Sequence, residues 1–207
     1  MTQIPHEDVI EKNIELQKSL HENTVYNSYI TCWNVSPNES YHMWKLYCNH
    51  HNGIAIKSTV GRLKNALGEN KNYTIIGGLV EYLDYKTGVP KVSGNILTPI
   101  FCKTLPYSFE NEFRLCLWDS GYSNDVIDDK APYSMDSKEI KKNINKYRPG
   151  YKVPLDLEHL IMEVVVSPHS EPWFHDLINS ILGEQRTFTT SLSKISAKKV
   201  TTSDMKL

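Results

Sequence analysis

The clearest pattern of hydrophobic and polar positions lies in residues 29–59, where the spacing of apolar residues changes twice. Residues 29–35 are rich in β-branched and aromatic side chains, which predicts a strand. Asn52 and Gly53 predict a turn because both tolerate positive φ, and Ile54 begins a second strand. Between the strands, apolar positions recur at the three-to-four spacing of a helix with one buried face; they are Met43, Trp44, Tyr47 and Cys48.

Capping residues predict where two helices begin and end. Ser36 is an expected N-cap, with Pro37 at the first helical position and Glu39 completing a capping box. Thr59 and Gly68 predict the two ends of a second short helix. The chain therefore begins its core with a strand, a helix, a strand and another helix.

The rest of the pattern predicts an α+β fold, a twisted mixed or antiparallel sheet with a few packed helices in a single domain. We expect an N-terminal helical segment at 1–28, a core domain at 29–192 with a polar insertion at 119–151, and a flexible tail at 193–207. Further predicted helices cover 9–20, 138–147 and 172–183. Further predicted strands cover 73–82, 109–118, 162–166 and 188–192, with short extended pieces at 101 and within 153–161.

Composition narrows the class of protein. The net charge of -1 argues against binding nucleic acid through overall charge. There is no signal peptide and no apolar run long enough to cross a bilayer, so we expect a cytoplasmic protein without membrane association. Four cysteines without close pairing are expected to be buried free thiols, as in a reducing cytosol. The histidines have no partners at metal-ligand spacing, so no metal site is predicted.

The best candidate for chemistry is an acidic strand. Glu110, Glu112 and Arg114 alternate along residues 109–118, which predicts that they share one face and lie about 7 Å apart in succession. Apolar residues occupy the opposite face, so the charged side chains are expected to face outward. Two carboxylates held together perturb each other's pKa, which is typical of catalytic sites. The alternative is an ordinary salt-bridged sheet surface.

Other residues have weaker claims to a function. Trp33, Trp44 and Tyr47 are candidates for an aromatic platform that binds a base or nicotinamide. Aromatic residues at helical spacing are more often core, and we favour a core position for Trp44. Lys103 precedes the acidic strand and is a further candidate, although lysines are more often surface charges.

Four groups of motifs occur together in a family-specific order. They are Cys32-Trp33 with Glu39-Ser40-Tyr41 and Met43-Trp44-Lys45-Leu46-Tyr47; Asn52-Gly53-Ile54-Ala55-Ile56-Lys57-Ser58-Thr59; Tyr82-Leu83-Asp84-Tyr85 with Phe101-Cys102-Lys103 and Phe109-Glu110-Asn111-Glu112-Phe113-Arg114; and Val165-Val166-Ser167-Pro168 with Trp173. On these residues the chain resembles the domain-of-unknown-function 2971 family of bacterial and phage proteins, over residues 29–192. The family's usual N-terminal strand has no counterpart, which predicts a shortened member or a fragment.

The order of elements also resembles that of ADP-ribosyltransferases, in which a polar strand, a helical tyrosine and a late glutamate surround NAD. The resemblance implies Thr31, Tyr47 and Glu112 as counterparts, with Glu110 as the residue two before. It implies NAD as substrate and catalysis by Glu112 and Glu110. The implied cofactor contacts are Thr31, Trp33, Tyr47, Lys103 and Arg114.

Three functions follow as hypotheses. The first is an ADP-ribosyltransferase-like effector that modifies RNA or protein in conflict between bacteria and phages. The second is a non-catalytic domain that keeps the fold and binds a partner; the missing first-strand basic residue favours it. The third is a metal-dependent nuclease, which would use Asp84, Glu110, Glu112 and Lys103.

Overall fold

The computed structural model describes residues 7–49, 51–68, 74–91, 94–118, 138, 142, 150–183 and 199–202. The described helices are α1 (Glu7–Tyr26), α2 (Tyr41–Cys48), α3 (Val60–Leu67), α4 (Leu157–Leu160) and α5 (Pro172–Gly183), with 3₁₀ turns at Thr98–Phe101 and Leu105–Glu110. The strands are β1 (Ser28–Asn34), β2 (Ile54–Lys57), β3 (Ile75–Leu79), β4 (Glu81–Leu83), β5 (Cys102–Thr104), β6 (Glu112–Trp118), β7 (Glu163–Val166) and β8 (Lys199–Thr202). Helices and small sheets are mixed, so the predicted α+β class is confirmed.

The chain divides into two compact units, the first formed by residues 1–35 and 71–152, the second by 36–70 and 153–207. The boundary separates β1 from α2, within the stretch predicted to form a strand, a helix and a strand. No helix among the described residues is long and apolar enough to cross a membrane.

The first unit holds a three-stranded antiparallel sheet in the order β1, β6, β3, and a small parallel pair, β4 and β5. The predicted strand over 73–82 is divided at Val80, whose N–H donates to the Glu112 carbonyl at 2.9 Å. A Cβ on Gly77 would lie 2.8 Å from Cζ of Phe113, and one on Gly78 would lie 3.2 Å from the Phe101 ring. The groups that approach the two glycines closely are therefore aromatic side chains.

The acidic strand begins later than its alternation predicts. Phe109 and Glu110 belong to a 3₁₀ turn, and β6 starts only at Glu112. The residue between the two glutamates, Asn111, has φ 39° and ψ 63°. This left-handed conformation suits asparagine better than most residues, and it interrupts the extended backbone that the alternation requires.

The second unit contains β2, β7 and β8, with β7 in the centre. The predicted ends of α3 are confirmed, because the Thr59 side chain accepts the Arg62 N–H and Gly68 follows with φ 61°. The predicted strand over 162–166 corresponds to β7, and the predicted helix at 172–183 corresponds to α5. The buried apolar residues of this unit are Trp44, Leu63, Ala66, Leu160, Ile161, Val164, Val165, Val166, Ile178 and Leu182.

The start of α2 was predicted wrongly. Its N-cap is Ser40, whose hydroxyl accepts the Met43 N–H, rather than Ser36. Glu39 lies before the helix and accepts a hydrogen bond of 2.9 Å from the indole nitrogen of Trp44. A side-chain contact with Trp44 thus competes with the capping box that the sequence suggests.

The turn after α2 also differs from its prediction. The positive φ, 46°, is found at Asn49, not at Gly53. Gly53 is needed for space, since a Cβ there would collide with the Cys48 sulfur.

One prediction near the C-terminus is wrong, and others lie wholly or largely outside the described residues. In place of a short strand over 153–161, Asp156 caps α4 by accepting the N–H groups of Glu158 and His159. Within the tail predicted at 193–207, residues 199–202 form β8, which pairs in parallel with β7; the rest of the tail lies outside the described residues. The predicted helix over 138–147, apart from two residues, and the predicted strand over 188–192 lie outside the described ranges.

Candidate functional site

Both glutamates of the predicted site lie at the junction of a turn and a strand. Glu110 is the last residue of the 3₁₀ turn, and Glu112 is the first residue of β6. The left-handed Asn111 turns the chain between them. Their carboxyl groups are consequently close enough for one ammonium, that of Lys103, to contact both, instead of lying about 7 Å apart along an extended strand.

Lys103, on β5, contacts both carboxyl groups. Its ammonium donates to Glu112 Oε1 at 2.8 Å and also to Glu110 Oε2. The same nitrogen lies 4.6 Å from the centre of the Tyr107 ring, within range of a cation–π interaction. Strand pairing places Lys103 opposite Tyr82.

Arg114 holds the other side of Glu112. Its Nε donates to Glu112 Oε2 at 2.7 Å, and one terminal nitrogen donates to the Ile100 carbonyl at 2.5 Å. With Lys103 on Oε1, both carboxylate oxygens of Glu112 have a cationic partner. Charge-assisted hydrogen bonds of this kind are the stronger ones in proteins.

The backbone at the site is fixed by polar side chains. The Tyr82 hydroxyl accepts the Glu112 N–H at 2.9 Å, and the Asn34 amide donates to the Glu110 carbonyl at 2.6 Å. Asn111 is bound to Val35 twice, since its carbonyl accepts the Val35 N–H at 2.8 Å and its side-chain amide donates to the Val35 carbonyl. The turn is therefore tied to β1 on one side and to β4 on the other.

The charged face of β6 is buried, which corrects the expectation that it faces outward. Glu110, Glu112 and Arg114 are 7, 5 and 9 % exposed. The covering segments are distant in sequence: Phe101 packs against Gly78, and the Ile100 carbonyl binds Arg114. Alternation distinguishes the two faces of a strand, but it does not show that a second layer covers the polar one.

The cluster shifts the pKa values of the two carboxyl groups in opposite directions. The neighbouring Glu112 carboxylate, together with burial, raises the pKa of Glu110, against the opposing effect of Lys103. Burial works against ionisation of Glu112, but the interactions with Arg114, Glu110 and Lys103 outweigh it and lower the pKa of Glu112 well below its ordinary value. Of the two groups, Glu110 is therefore the stronger base and Glu112 holds its negative charge more firmly.

Four of the predicted site residues meet here, and two others of the same unit do not. Glu110, Glu112, Lys103 and Arg114 form one cluster. Cys32 is the β1 residue opposite Arg114, so Thr31 and Trp33 point to the other face of the sheet. Tyr47 belongs to the second unit, where it is 69 % exposed.

The prediction of Trp44 as core is in keeping with its 6 % exposure. All four cysteines are described and free, but burial holds only for Cys102 and Cys116; Cys32 is exposed and Cys48 is partly so.

The uncharged residues of the site were not predicted from the sequence. The site is contacted by the hydroxyl of Tyr82, the aromatic face of Tyr107 and the amide of Asn34. Of these, only Tyr82 was named in the sequence patterns, as part of a family motif. Pairing between β4 and β5 would have been the signal, but three-residue strands are too short to predict.

Two observations on the described residues concern the nuclease hypothesis. No group of three or more His, Cys, Asp or Glu side chains in the described ranges is arranged to hold a metal ion. Asp84 instead accepts the Lys86 N–H at 3.0 Å within its own turn, and it is exposed.

The chain matches no protein-family model, no curated protein and no solved structure.

Proposed function

We propose that this chain is an ADP-ribosyltransferase-like enzyme of the domain-of-unknown-function 2971 family, which uses NAD to modify RNA or protein. The observation that carries the proposal is the buried pair of carboxyl groups that share the Lys103 ammonium and whose pKa values shift in opposite directions. Titratable groups pushed apart in this way are typical of acid–base sites. One such group accepts or donates a proton while the other supplies a fixed negative charge.

The chemistry of NAD suits this pair. Breaking the nicotinamide–ribose bond builds positive charge on the ribose, as in the cleavage of other glycosidic bonds. The ionised Glu112 would hold the ribose hydroxyls and offset that charge. Glu110, with its raised pKa, would orient the acceptor group and take up its proton.

The substrate contacts in this proposal differ from those implied by the resemblance. Thr31 and Trp33 are not used, since their side chains point to the other face of the sheet. Tyr107 is 48 % exposed beside the Lys103 ammonium and offers an aromatic face to a flat ring. Arg114 serves Glu112 rather than the substrate.

The setting of the proposed activity is the cytoplasm. Free cysteines support it, because cysteines of secreted proteins are usually paired. An effector that acts inside bacterial cells during phage infection would meet both RNA and protein as acceptors.

A second candidate is a non-catalytic binding domain, and one observation favours it. Both Glu112 oxygens are occupied by the side chains of Lys103 and Arg114. A carboxylate balanced by two cations is also what a purely structural network contains. Under this hypothesis the cluster holds β5, β6 and the 3₁₀ turn together, and binding takes place on another surface.

The two candidates are separated by Glu112→Gln, which keeps the shape and removes the charge. The assay measures nicotinamide release from NAD and labelling of total RNA and protein, with folding checked by circular dichroism. We expect loss of about 10²–10³-fold in turnover, the scale for removing one electrostatic stabiliser. Glu110→Gln should lower transfer to the acceptor more than it lowers NAD cleavage.

Glu81→Gln is the matched control, since Glu81 is in the same unit and bonds to the Lys91 N–H instead of the cluster. Its activity should equal that of the parent chain. A parent chain that neither releases nicotinamide nor labels any acceptor would support the binding domain. A folded Glu112→Gln protein with full activity would show that the active site lies elsewhere in the protein.

A further inference from the structure

The Lys103 ammonium occupies surroundings that resemble a binding site for a cation. It contacts one oxygen of each glutamate, and it lies 4.6 Å from the Tyr107 ring centre. Carboxylates together with an aromatic face are the groups with which proteins bind ammonium and pyridinium ligands. Here a side chain of the protein itself takes that position.

Charge balance shows why this matters for the proposed chemistry. With Lys103 in place, two carboxyl groups meet two cations, Lys103 and Arg114. Such a cluster has no negative charge left to attract a pyridinium ring or to stabilise a positively charged ribose. Withdrawal of Lys103 would leave the two carboxyl groups facing Arg114 alone.

Of the two cations, Lys103 is the one that can leave. Its side chain is 25 % exposed, whereas that of Arg114 is 11 % exposed. Arg114 is also anchored to the Ile100 carbonyl. Lysine carries its charge on a flexible four-carbon stem, so the ammonium can move into solvent without a backbone change.

We propose that Lys103 fills the cation subsite of this site and is displaced by the cationic part of the substrate, a pyridinium or ammonium group. The inference rests on the proposed function, in that the carboxyl pair is taken to be the active site. It adds that the site is closed by its own lysine until the substrate arrives. Lys103 is then a gating residue rather than a catalytic one.

The test empties the subsite with Lys103→Ala and refills it with a small cation. Ethylammonium chloride is titrated at constant ionic strength and the melting temperature is followed. A ligand that binds only the folded state raises stability by mass action, and we expect a saturable rise of about 2–4 °C. Acetamide, which is neutral, should give no rise, and 1-methylnicotinamide, a pyridinium without ribose, should act as ethylammonium does.

Lys57→Ala is the matched control, because Lys57 makes one ion pair of 3.5 Å with Glu163 and its side chain is 56 % exposed. Ethylammonium should not raise its melting temperature. A folded Lys103→Ala protein without a saturable response to either cation would overturn the proposal. If that variant does not fold, the parent protein decides: with ¹³C-methylated lysines, 1-methylnicotinamide should shift the Lys103 signal, and an unmoved signal would overturn the proposal.

Failure of the inference and failure of the proposed function give different results. Nicotinamide release by the parent chain, with no cation response from Lys103→Ala, would retain the enzyme and reject the gate. A saturable cation response without any NAD cleavage would retain the cation subsite and reject NAD as its substrate.

Discussion

Replacing Arg114 by methionine should destabilise the protein strongly, because the buried Glu112 carboxylate then keeps only one of its two cationic partners. Glu112 and Arg114 are 5 and 9 % exposed, so solvent screens their interaction little. The variant loses the 2.7 Å bond to Glu112 and the 2.5 Å bond to the Ile100 carbonyl. Removing one partner of a buried ion pair typically costs about 3–5 kcal/mol, and we expect a loss in that range.

The assay is urea denaturation at pH 7 followed by far-ultraviolet circular dichroism, for Arg114→Met, Glu112→Gln and the double variant. Removing both charges should cost less than the sum of the single losses, with a coupling of about 2–3 kcal/mol. Lys57→Met breaks a longer pair of 3.5 Å, in which the lysine side chain is 56 % exposed, and should cost less than about 1 kcal/mol. An additive cycle, or an Arg114→Met loss no larger than that of Lys57→Met, would refute the reasoning.

Three further predictions concern stability. Trp44→Ala should cost about 3–5 kcal/mol through lost burial and a cavity, whereas Trp173→Ala, at a 58 % exposed position, should cost less than about 1 kcal/mol; chemical denaturation compares the two. Gly53→Ala should cost about 1–3 kcal/mol, because its methyl group collides with the Cys48 sulfur, and a melting temperature equal to that of the parent would contradict this. Folding lowers the pKa of Glu112 from its ordinary value of 4.5, so the ionised Glu112 stabilises the fold above pH 4.5, and this contribution is lost as the pH falls toward the lowered pKa. The stability of the parent protein should therefore fall more steeply below pH 4.5 than that of Glu112→Gln. Parallel curves of stability against pH would argue against this prediction.

Local sequence signals predicted the elements whose ends are determined by neighbouring residues. Helix α3 begins and ends where Thr59 and Gly68 indicate, because the capping hydroxyl and the glycine act within four residues of the helix. Helix α2 shows the limit of such signals. Ser36 and Ser40 are both residue types that cap helices, but the Ser36 hydroxyl accepts the Asn38 N–H, whereas that of Ser40 accepts the Met43 N–H of the helix.

The cluster was predicted in part because charges close in sequence were close in space. Glu110, Glu112 and Arg114 were identified from their spacing, although the alternation assigned to Glu110 was wrong. What the sequence did not supply were the contacts from distant segments. The Ile100 carbonyl and the Tyr82 hydroxyl belong to segments 14 and 30 residues away from the β6 residues that they contact.

The left-handed Asn111 gives the Glu-Asn-Glu tripeptide a different meaning from that of an ordinary alternating strand. For most residues other than glycine, this backbone conformation costs about 1–2 kcal/mol, and asparagine and aspartate tolerate it best. In this chain the cluster residues follow the pattern Lys-(x)₆-Glu-Asn-Glu-x-Arg. Other chains with the same geometry should therefore show this pattern with Asn, Asp or Gly between the two glutamates. Chains with valine or isoleucine at that position would keep the glutamates on an extended strand, with their carboxyl groups about 7 Å apart.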